Sequence, residues 1–270
     1  MSRTAIIAGT GALPLMLSKA LTAQGRDHVI AGQQDFPVEG LTVTEPFRVE
    51  RIVPFIDRLV KIGVTEVVFA GAVQRPKLDP LLFDFKTALL VPRMLPALQK
   101  GDDGLLRAVI GLFEENDLRV VGVSDIAPDL VPTAGILGKH KPSRADTSDA
   151  ARAAEIVTAL GAIDVGQGAV VAHGLCLALE SLPGTDAMLR FVAAIGPREG
   201  RDKGVMYKAP KPGQDRRIDL PTLGPATVAG AAAAGLAGIA FEAGGTLLLD
   251  RPTMIAEADR LGLFLWAREK

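Results

Sequence analysis

Charged side chains crowd into one proline- and glycine-rich segment of the sequence, residues 208–227. Its ionic residues are two lysines, two arginines and two aspartates: Lys208, Lys211, Asp215, Arg216, Arg217 and Asp219. Because proline cannot donate a backbone hydrogen bond, the segment is predicted to be neither an ordinary helix nor a central strand. Cations suit a phosphate, whereas carboxylates suit a divalent metal or an attacking water. The segment therefore predicts metal-assisted chemistry on a phosphorylated substrate; the alternative is a solvated loop with incidental ion pairs.

Two glycine turns in the N-terminal half follow apolar runs that are predicted to be buried strands. The first turn, residues 9–14, begins a helix, where backbone N–H groups can approach an anion closely. Pro14 stands where a dinucleotide fingerprint has its third glycine, so the turn indicates a nucleotide or phosphate more than NAD. The second turn contains Gln74 and Arg75, which we expect at the same edge of the sheet as the first turn. A plain turn and a solvated arginine remain the alternatives.

Five more ionic residues lie in loops or at predicted helix starts. Of Asp102 and Asp103, one is expected to complement a helix dipole and the other to hold a ribose hydroxyl or a metal. Glu180, Asp186 and Arg190 follow a predicted strand and are expected to line the same cleft as segment 208–227. Each of these three also suits a helix cap or a surface ion pair.

Apolar runs alternate with helix-period segments in the first half of the chain. Strands are predicted at 4–8, 28–31, 41–44, 66–70 and 119–123, and helices at 13–23, 53–61 and 102–115. This alternation indicates a parallel sheet covered on both faces. A helical tract with many apolar residues, 81–98, is interpreted as ordinary core, with a wall for an acyl chain as the alternative.

The second half begins after a stretch rich in proline, glycine and basic residues. Helices are predicted at 151–160 (capped by Thr147 or Ser148), 185–194, 227–236 and 254–261, and strands at 169–172 and 246–249. We therefore expect an α/β protein with an N-terminal parallel-sheet domain at 1–130, a linker at 131–146 and a distinct C-terminal α/β domain at 147–270.

Composition excludes several classes of protein. With 270 residues, 48% hydrophobic and 23% charged, the chain can bury a sizeable core and is not a disordered protein. A net charge of −1 and only 4% aromatic residues argue against a general nucleic-acid binder. The single cysteine, Cys176, fits a reducing compartment and is predicted to be buried. With no signal peptide visible, we expect a cytoplasmic protein.

The motifs, taken in order, resemble a known family. They are Gly-Thr-Gly-Ala-Leu-Pro at 9–14, Gly-Ala-Val-Gln-Arg-Pro at 71–76, Gly-Asp-Asp-Gly-Leu-Leu at 101–106, Glu-x-x-x-Gly-Thr-Asp-Ala-Met-Leu at 180–189 and Lys-x-x-Lys-x-x-Gln-Asp-x-Arg-x-Asp-Leu-Pro-Thr at 208–222. Together they resemble the UDP-2,3-diacylglucosamine pyrophosphatases of lipid A synthesis that are distinct from the calcineurin-like enzyme. The resemblance runs from about Ile6 to Leu265. Pro183, where a glutamate is expected, departs from the pattern.

The resemblance implies magnesium-dependent hydrolysis of UDP-2,3-diacylglucosamine to UMP and 2,3-diacylglucosamine 1-phosphate (lipid X). It also implies a Rossmann-like N-terminal domain, a distinct C-terminal domain and a ligand cleft between them. The implied partner is a lipid-linked sugar nucleotide. Transient contact with the surface of the inner membrane and a homo-oligomer are compatible with it, and no nucleic acid is expected.

The residue pattern and the resemblance together assign roles to individual side chains. Asp219 and Asp215 are expected to hold magnesium or orient the attacking water, while Lys208, Lys211 and Arg217 offset charge on the phosphate oxygens. The expected substrate-binding residues are Gly11, Ala12, Leu13, Gln74, Arg75, Asp102, Asp103, Thr185, Asp186, Arg190 and Gln214. Two other functions stay open: a non-catalytic binder of a nucleotide or lipid, and, more weakly, a nicotinamide-dependent oxidoreductase.

Overall fold

The structure, a computed structural model, describes residues 2–72, 77–98, 101–196 and 203–270, without the side chains of 97, 98 and 101–103. The chain divides into two compact units, Met1–Pro128 (unit 1) and Asp129–Lys270 (unit 2). Unit 1 contains a five-stranded sheet, and unit 2 contains a six-stranded sheet and a two-stranded one.

Strands and helices alternate along unit 1. The strands are β1 (Arg3–Ala8), β2 (His28–Gln33), β3 (Glu45–Phe47), β4 (Val64–Ala70) and β5 (Arg119–Val120). The helices are α1 (Leu13–Ala23), α2 (Ile52–Lys61), α3 (Phe85–Ala88), α4 (Val91–Leu98), α5 (Gly101–Glu114) and α6 (Val123–Ile126), with 3-10 turns at Val49–Arg51 and Pro80–Leu82.

The sheet of unit 1 is parallel throughout, in the order β3-β2-β1-β4-β5. This is the order in which a Rossmann-type sheet begins. Central residues that point to opposite faces, such as Ala5 and Ile6 on β1 and Val67 and Val68 on β4, are fully buried. Burial on both faces explains why these strands are continuous apolar runs. The predicted α/β fold with a parallel N-terminal sheet is confirmed.

One buried carboxylate joins several strands of unit 1. Glu66 on β4 accepts hydrogen bonds from Arg26 (2.7 Å), from Arg119 on β5 and from Thr4 on β1 (3.4 Å). Burial opposes its ionisation, but the hydrogen bond and charge of Arg119, together with the charge of Arg26, lower the pKa of Glu66 overall. The ionised carboxylate therefore stabilises the folded sheet.

Unit 2 has its own set of strands and helices. The strands are β6 (Gly135–Leu137), β7 (Gly168–Ala172), β8 (Leu175–Leu179), β9 (Val205–Lys208), β10 (Thr222–Leu223), β11 (Gly238–Glu242), β12 (Leu247–Leu248) and β13 (Phe264–Arg268). The helices are α7 (Arg144–Ala162), α8 (Gly184–Ile195), α9 (Pro225–Ala233) and α10 (Arg251–Leu261).

The main sheet of unit 2 is mixed, in the order β6-β13-β11-β9-β7-β8. Its centre is parallel, because β9, β11 and β13 run in one direction. The flanking strands β6, β7 and β8 each run antiparallel to the neighbour on their inner side. One face is covered by buried side chains of α8, α9 and α10 and the other by those of α7. Strands β10 and β12 form a separate parallel pair.

Two predicted elements lie elsewhere in the structure. The third strand of unit 1 is β3, not 41–44, because Val43 packs its side chain over Gly32 instead of pairing. Helix α7 begins seven residues before the predicted 151, since Ser143 caps it. The Ser143 hydroxyl accepts a hydrogen bond from the Asp146 N–H at 3.2 Å, and the Asp146 carboxylate accepts one from the Ser143 N–H at 2.8 Å.

Three further predictions are wrong in whole or in part. Residues 131–146, expected as a linker, contain β6, which pairs with β13, and the first turn of α7. Segment 208–227 includes the end of central strand β9 and the start of α9, so the prediction of neither helix nor central strand is wrong at its two ends. Cys176 is exposed, not buried, because β8 is an edge strand.

Candidate active site

Three parallel strands of unit 2 end at one edge of its main sheet. Strand β9 ends at Lys208, β11 at Glu242 and β13 at Arg268. In open parallel sheets, ligands bind beyond the carboxyl ends of the strands. The loop that follows β9, residues 209–221, starts at this edge and carries all the charged residues of the segment except Lys208, which ends β9. This edge and the loop 209–221 form the candidate active site.

Gln214 ties the loop 209–221 to the sheet. Its Oε1 atom accepts hydrogen bonds from Nε2 of Gln167 (3.0 Å) and from the backbone N–H of Lys211 (2.9 Å). Gln167 directly precedes β7, and its carbonyl accepts from the N–H of Ala209 at 3.0 Å. On its other side, the Gln214 Nε2 atom donates to Oδ2 of Asp219. A residue predicted to bind substrate thus holds the loop and orients a candidate catalytic carboxylate.

Two ion pairs fasten the loop 209–221 at further points. Arg216 Nη2 lies 2.5 Å from Oε1 of the buried Glu242, and Lys211 Nζ lies 2.5 Å from Oδ1 of Asp164. Burial, followed by the charge of Glu242, raises the pKa of Tyr207, which keeps this phenol neutral. The loop is therefore attached to the carboxyl end of β11 and to the segment that follows α7.

Asp215 and Arg217 form a local pair within the loop. The backbone N–H and the Nε of Arg217 each donate to Oδ1 of Asp215 at 3.0 Å, and Nη2 donates to Oδ2 at 2.7 Å. The Asp215 side chain is 21% exposed and that of Arg217 is 40% exposed. Together with Asp219, this pair offers two carboxylates and one guanidinium within five positions of the chain.

Lys208 belongs to a second polar cluster, at the start of α8. Its Nζ atom donates to the hydroxyl of Thr185 (2.5 Å) and to Oε1 of Glu180 (3.4 Å). The Thr185 hydroxyl donates in turn to Glu180 Oε1 at 3.1 Å. Asp186 and Arg190 lie on the same helix with exposed side chains. Unit 2 thus gathers most of the predicted C-terminal site residues around β9 and α8.

The two glycine turns of unit 1 lie in direct contact. The N–H of Thr10 donates to the carbonyl of Ala72 (2.9 Å), and the N–H of Ala72 donates to the carbonyl of Thr10 (3.2 Å). A Cβ atom at Gly9 would lie 2.4 Å from the Ala72 carbonyl oxygen, and one at Gly71 would lie 2.3 Å from that of Thr10. Both glycines are therefore required for the turns after β1 and β4 to meet, as the strand order of unit 1 demands.

The first turn leads into an uncapped helix start. Gly11 and Ala12 are exposed and Leu13 is buried, and among the described residues no side chain caps the start of α1. Pro14, in the first turn of α1, has no N–H of its own. The uncapped N–H groups of the first turn suit an anion.

The other predicted site residues of unit 1 are described in part or not at all. Gln74 and Arg75 lie outside the described residues. Asp102 and Asp103 stand in the first turn of α5, and their side chains lie outside the description. Their predicted roles stay predictions.

The apolar tract 81–98 is largely exposed, so its interpretation as ordinary core is wrong. Leu81, Phe85 and Leu89 are 92%, 79% and 64% exposed. The tract forms two short helices, α3 and α4, separated at residues 89–90, instead of one long packed helix. Beside it opens a groove of about 490 Å³ whose lining includes Phe47, Phe55, Leu81, Leu82 and Phe83 together with Arg48, Arg51 and Arg58.

Several residues of the site in unit 2 were missed at the level of sequence. Glu242 and Arg268 end strands that were not predicted, and Gln167 and Asp164 precede a predicted strand without a recognisable motif. The apolar run 239–241, followed by Glu242 and then by two glycines at 244 and 245, is a strand signal that identifies Glu242 as a residue at a strand end. For Gln167 and Asp164 the sequence carries no such signal.

The donor set of the loop is compatible with magnesium. Within the described part of the chain, no three His, Cys, Asp or Glu side chains are grouped as a metal site. Magnesium binds through one or two carboxylates and takes its other ligands from water and substrate phosphates, so a set of two carboxylates, such as Asp215 and Asp219, would be large enough. In the same described ranges, none of the helices is both long and apolar enough to span a bilayer.

Comparisons with known proteins agree with this division into two units. Residues 3–130 match the family described as LpxI N-terminal domain, and residues 133–266 match the LpxI C-terminal domain. A Caulobacter vibrioides protein named UDP-2,3-diacylglucosamine pyrophosphatase LpxI is 40% identical over 271 residues, covering 98% of this chain and 97% of that protein. The solved structure of CobK precorrin-6A reductase aligns over 100% of this chain and 88% of its own with 15% identity and a TM-score of 0.35, which is too low to support an argument about fold.

Proposed function

Because this chain belongs to the LpxI family, we propose that it hydrolyses the pyrophosphate bond of UDP-2,3-diacylglucosamine, the activity named for its Caulobacter relative. The products would be UMP and 2,3-diacylglucosamine 1-phosphate. The observation that carries the proposal is the loop 209–221, which collects carboxylates and cations at the carboxyl edge of a parallel sheet. Both charge types are needed there, since the bond to be broken links two anionic phosphates.

The loop 209–221 and the end of β9 supply the groups that such a hydrolysis requires. A water oxygen bonds to one phosphorus while the bond from that phosphorus to the bridging oxygen breaks, and the second phosphate leaves with the bridging oxygen. Asp219, oriented by Gln214, accepts the hydrogen bond of the attacking water and takes up its proton, which then passes to solvent. Lys208, Lys211 and Arg217 offset the negative charge that builds on the phosphate oxygens.

Magnesium is part of this proposal. Asp215 and Asp219 would hold the ion, which supplies positive charge to the phosphate oxygens when bound. Asp215 is already paired with Arg217, so the guanidinium is released towards phosphate when the carboxylate takes a different partner. The two charges of the pair therefore compensate each other until the substrate arrives.

Unit 1 would bind other parts of the substrate. The exposed turn with Gly11 and Ala12, before the uncapped start of α1, suits a phosphate oxygen. The exposed apolar side chains of Leu81, Phe85 and Leu89, beside the groove, suit the acyl chains. The same apolar surface would touch the inner membrane while the lipid is collected.

The test is product formation by the purified protein. Incubation with UDP-2,3-diacylglucosamine should release UMP steadily, EDTA should abolish the release, and added Mg²⁺ should restore it. Phosphorus NMR of products formed in ¹⁸O-labelled water would identify the phosphorus that is attacked. Saturable substrate binding without any UMP would refute hydrolysis and favour the non-catalytic binder.

A further inference from the structure

Lys208 is a buried cation at the end of a central strand. Its side chain is only 7% exposed, and its ammonium contacts Thr185 and Glu180. A buried charge is tolerated when a counter-charge and hydrogen bonds replace the lost water. Glu180, whose side chain is 12% exposed, is the residue that supplies the counter-charge.

The chain builds a fitted space for the Glu180 carboxylate. The Glu180 N–H donates to the carbonyl of Gly168 at 2.8 Å, which fixes its backbone against β7. A Cβ atom at Gly168 would lie 2.5 Å from Glu180 Oε2, and one at Gly166 would lie 2.0 Å from the Glu180 carbonyl oxygen. Glycine at both positions is what allows this side chain to lie here. Glu180 Oε2 is buried and has no hydrogen-bond donor within the described residues.

These contacts leave the ammonium with a defined orientation. Lysine has three N–H donors, and Thr185 and Glu180 take two of them. Resting on the proposed function, we propose that Glu180 is a positioning residue that, together with Thr185, holds the Lys208 ammonium so that its third N–H serves a phosphate oxygen of the sugar nucleotide. Glu180 acts through Lys208 and does not contact the substrate.

The geometry separates this role from that of a metal ligand or a base. One carboxylate oxygen of Glu180 is taken by Lys208 and Thr185, and the other lies against Gly168. A metal ligand or a general base needs an oxygen that reaches water or substrate. The carboxylates of the loop 209–221 are left for that chemistry.

A double-mutant cycle tests the proposal. The rate of UMP release is measured for Glu180→Gln, Lys208→Met and the double variant. We expect Glu180→Gln to lower kcat at least about tenfold with KM changed less than about threefold, and the double variant to be within about twofold of Lys208→Met. A Glu180→Gln rate within about twofold of the unaltered protein, or multiplicative losses in the double variant, would overturn the proposal.

A second pair of variants covers the case in which Glu180→Gln does not fold. Thr185→Val removes the hydroxyl without unpairing the charge and should lower kcat at least about fivefold, whereas Thr185→Ser should stay within about twofold. Equal rates for Val and Ser would contradict the proposed orientation. Glu257→Gln, which breaks an exposed pair with Arg260, is the matched control and should leave the rate unchanged.

Failure of the two proposals can be told apart. If the unaltered protein releases no UMP, the proposed function fails. The coupling between positions 180 and 208 is then read from thermal unfolding of the same four proteins. Additive changes in Tm would refute the pairing as well, whereas a double variant more stable than the sum of its parts supports it.

Discussion

Replacing Gln214 tests whether orientation of the Asp219 carboxylate controls the reaction. In Gln214→Ala the side chain loses its bonds to Gln167, to the Lys211 N–H and to Asp219. In Gln214→Glu the Oε1 acceptor for Gln167 and Lys211 is kept, but the donor to Asp219 becomes a second negative charge. The two variants therefore separate attachment of the loop from orientation of the carboxylate.

The size of the effect follows from the bond to Asp219. A hydrogen bond to a charged group contributes about 1.5–3 kcal/mol. If this free energy is lost from the transition state, kcat falls by about 10- to 150-fold, at 1.36 kcal/mol per factor of ten. We expect kcat of both variants to fall by this factor or by more. Gln214→Glu should be at least as slow as Gln214→Ala, because its carboxylate repels Asp219.

The assay is the initial rate of UMP release at saturating substrate. Gln24→Ala is the matched control, since it removes another glutamine amide donor, to the Ile126 carbonyl at 2.7 Å in unit 1. The control should lower Tm without changing kcat. If Gln214→Glu is as fast as the unaltered protein while Gln214→Ala is slow, Gln214 only attaches the loop and the reasoning about Asp219 is wrong.

Three further predictions concern unit 1. Glu66→Gln should lower the free energy of unfolding by about 1–3 kcal/mol at pH 7. Because the pKa of Glu66 is lowered in the folded state, the difference between the two proteins should shrink as pH falls below about 4.3. Chemical denaturation at several pH values measures it. Gly71→Ala should lower the free energy of unfolding by at least about 2 kcal/mol, since its Cβ would strike the Thr10 carbonyl. Gly11→Ala, with open space around its Cβ, should lower it by about 1 kcal/mol. Similar Tm values for the two variants would contradict the contact between the turns. Phe85→Asp should raise KM for the diacylated substrate but not for a short-chain analogue, and equal KM changes would exclude an acyl-binding surface there.

Three strands that are buried on both faces, β1, β4 and β7, were predicted from their sequences. The apolar runs of β1, β4 and β7 are continuous because helices cover both sides of each sheet. Strands β8, β9, β11 and β13 were not predicted; the sequences of β8 and β9 lie beside segments rich in polar and glycine residues. Edge strand β3 was displaced by a few positions because a nearby valine packs on the sheet without joining it.

The candidate site was predictable where a single segment carries the chemistry. Segment 208–227 is recognisable from its dense charge, and its first residue, Lys208, contacts Glu180 and Thr185, which belong to another motif predicted to line the site. The partners that hold the loop could not be predicted. Glu242 and Gln167 are remote in sequence and reach the loop only through the order of strands, which residue patterns do not encode.

The rate of UMP release by Asp219→Asn, measured beside its Tm, shows whether the Asp219 carboxylate is essential for the hydrolysis. The substitution keeps the shape of the side chain but removes the charge that would hold magnesium and accept a proton. We expect a loss of at least about a thousandfold in kcat, or roughly 4 kcal/mol, with Tm nearly unchanged. A folded Asp219→Asn protein that releases UMP within about tenfold of the normal rate would contradict it.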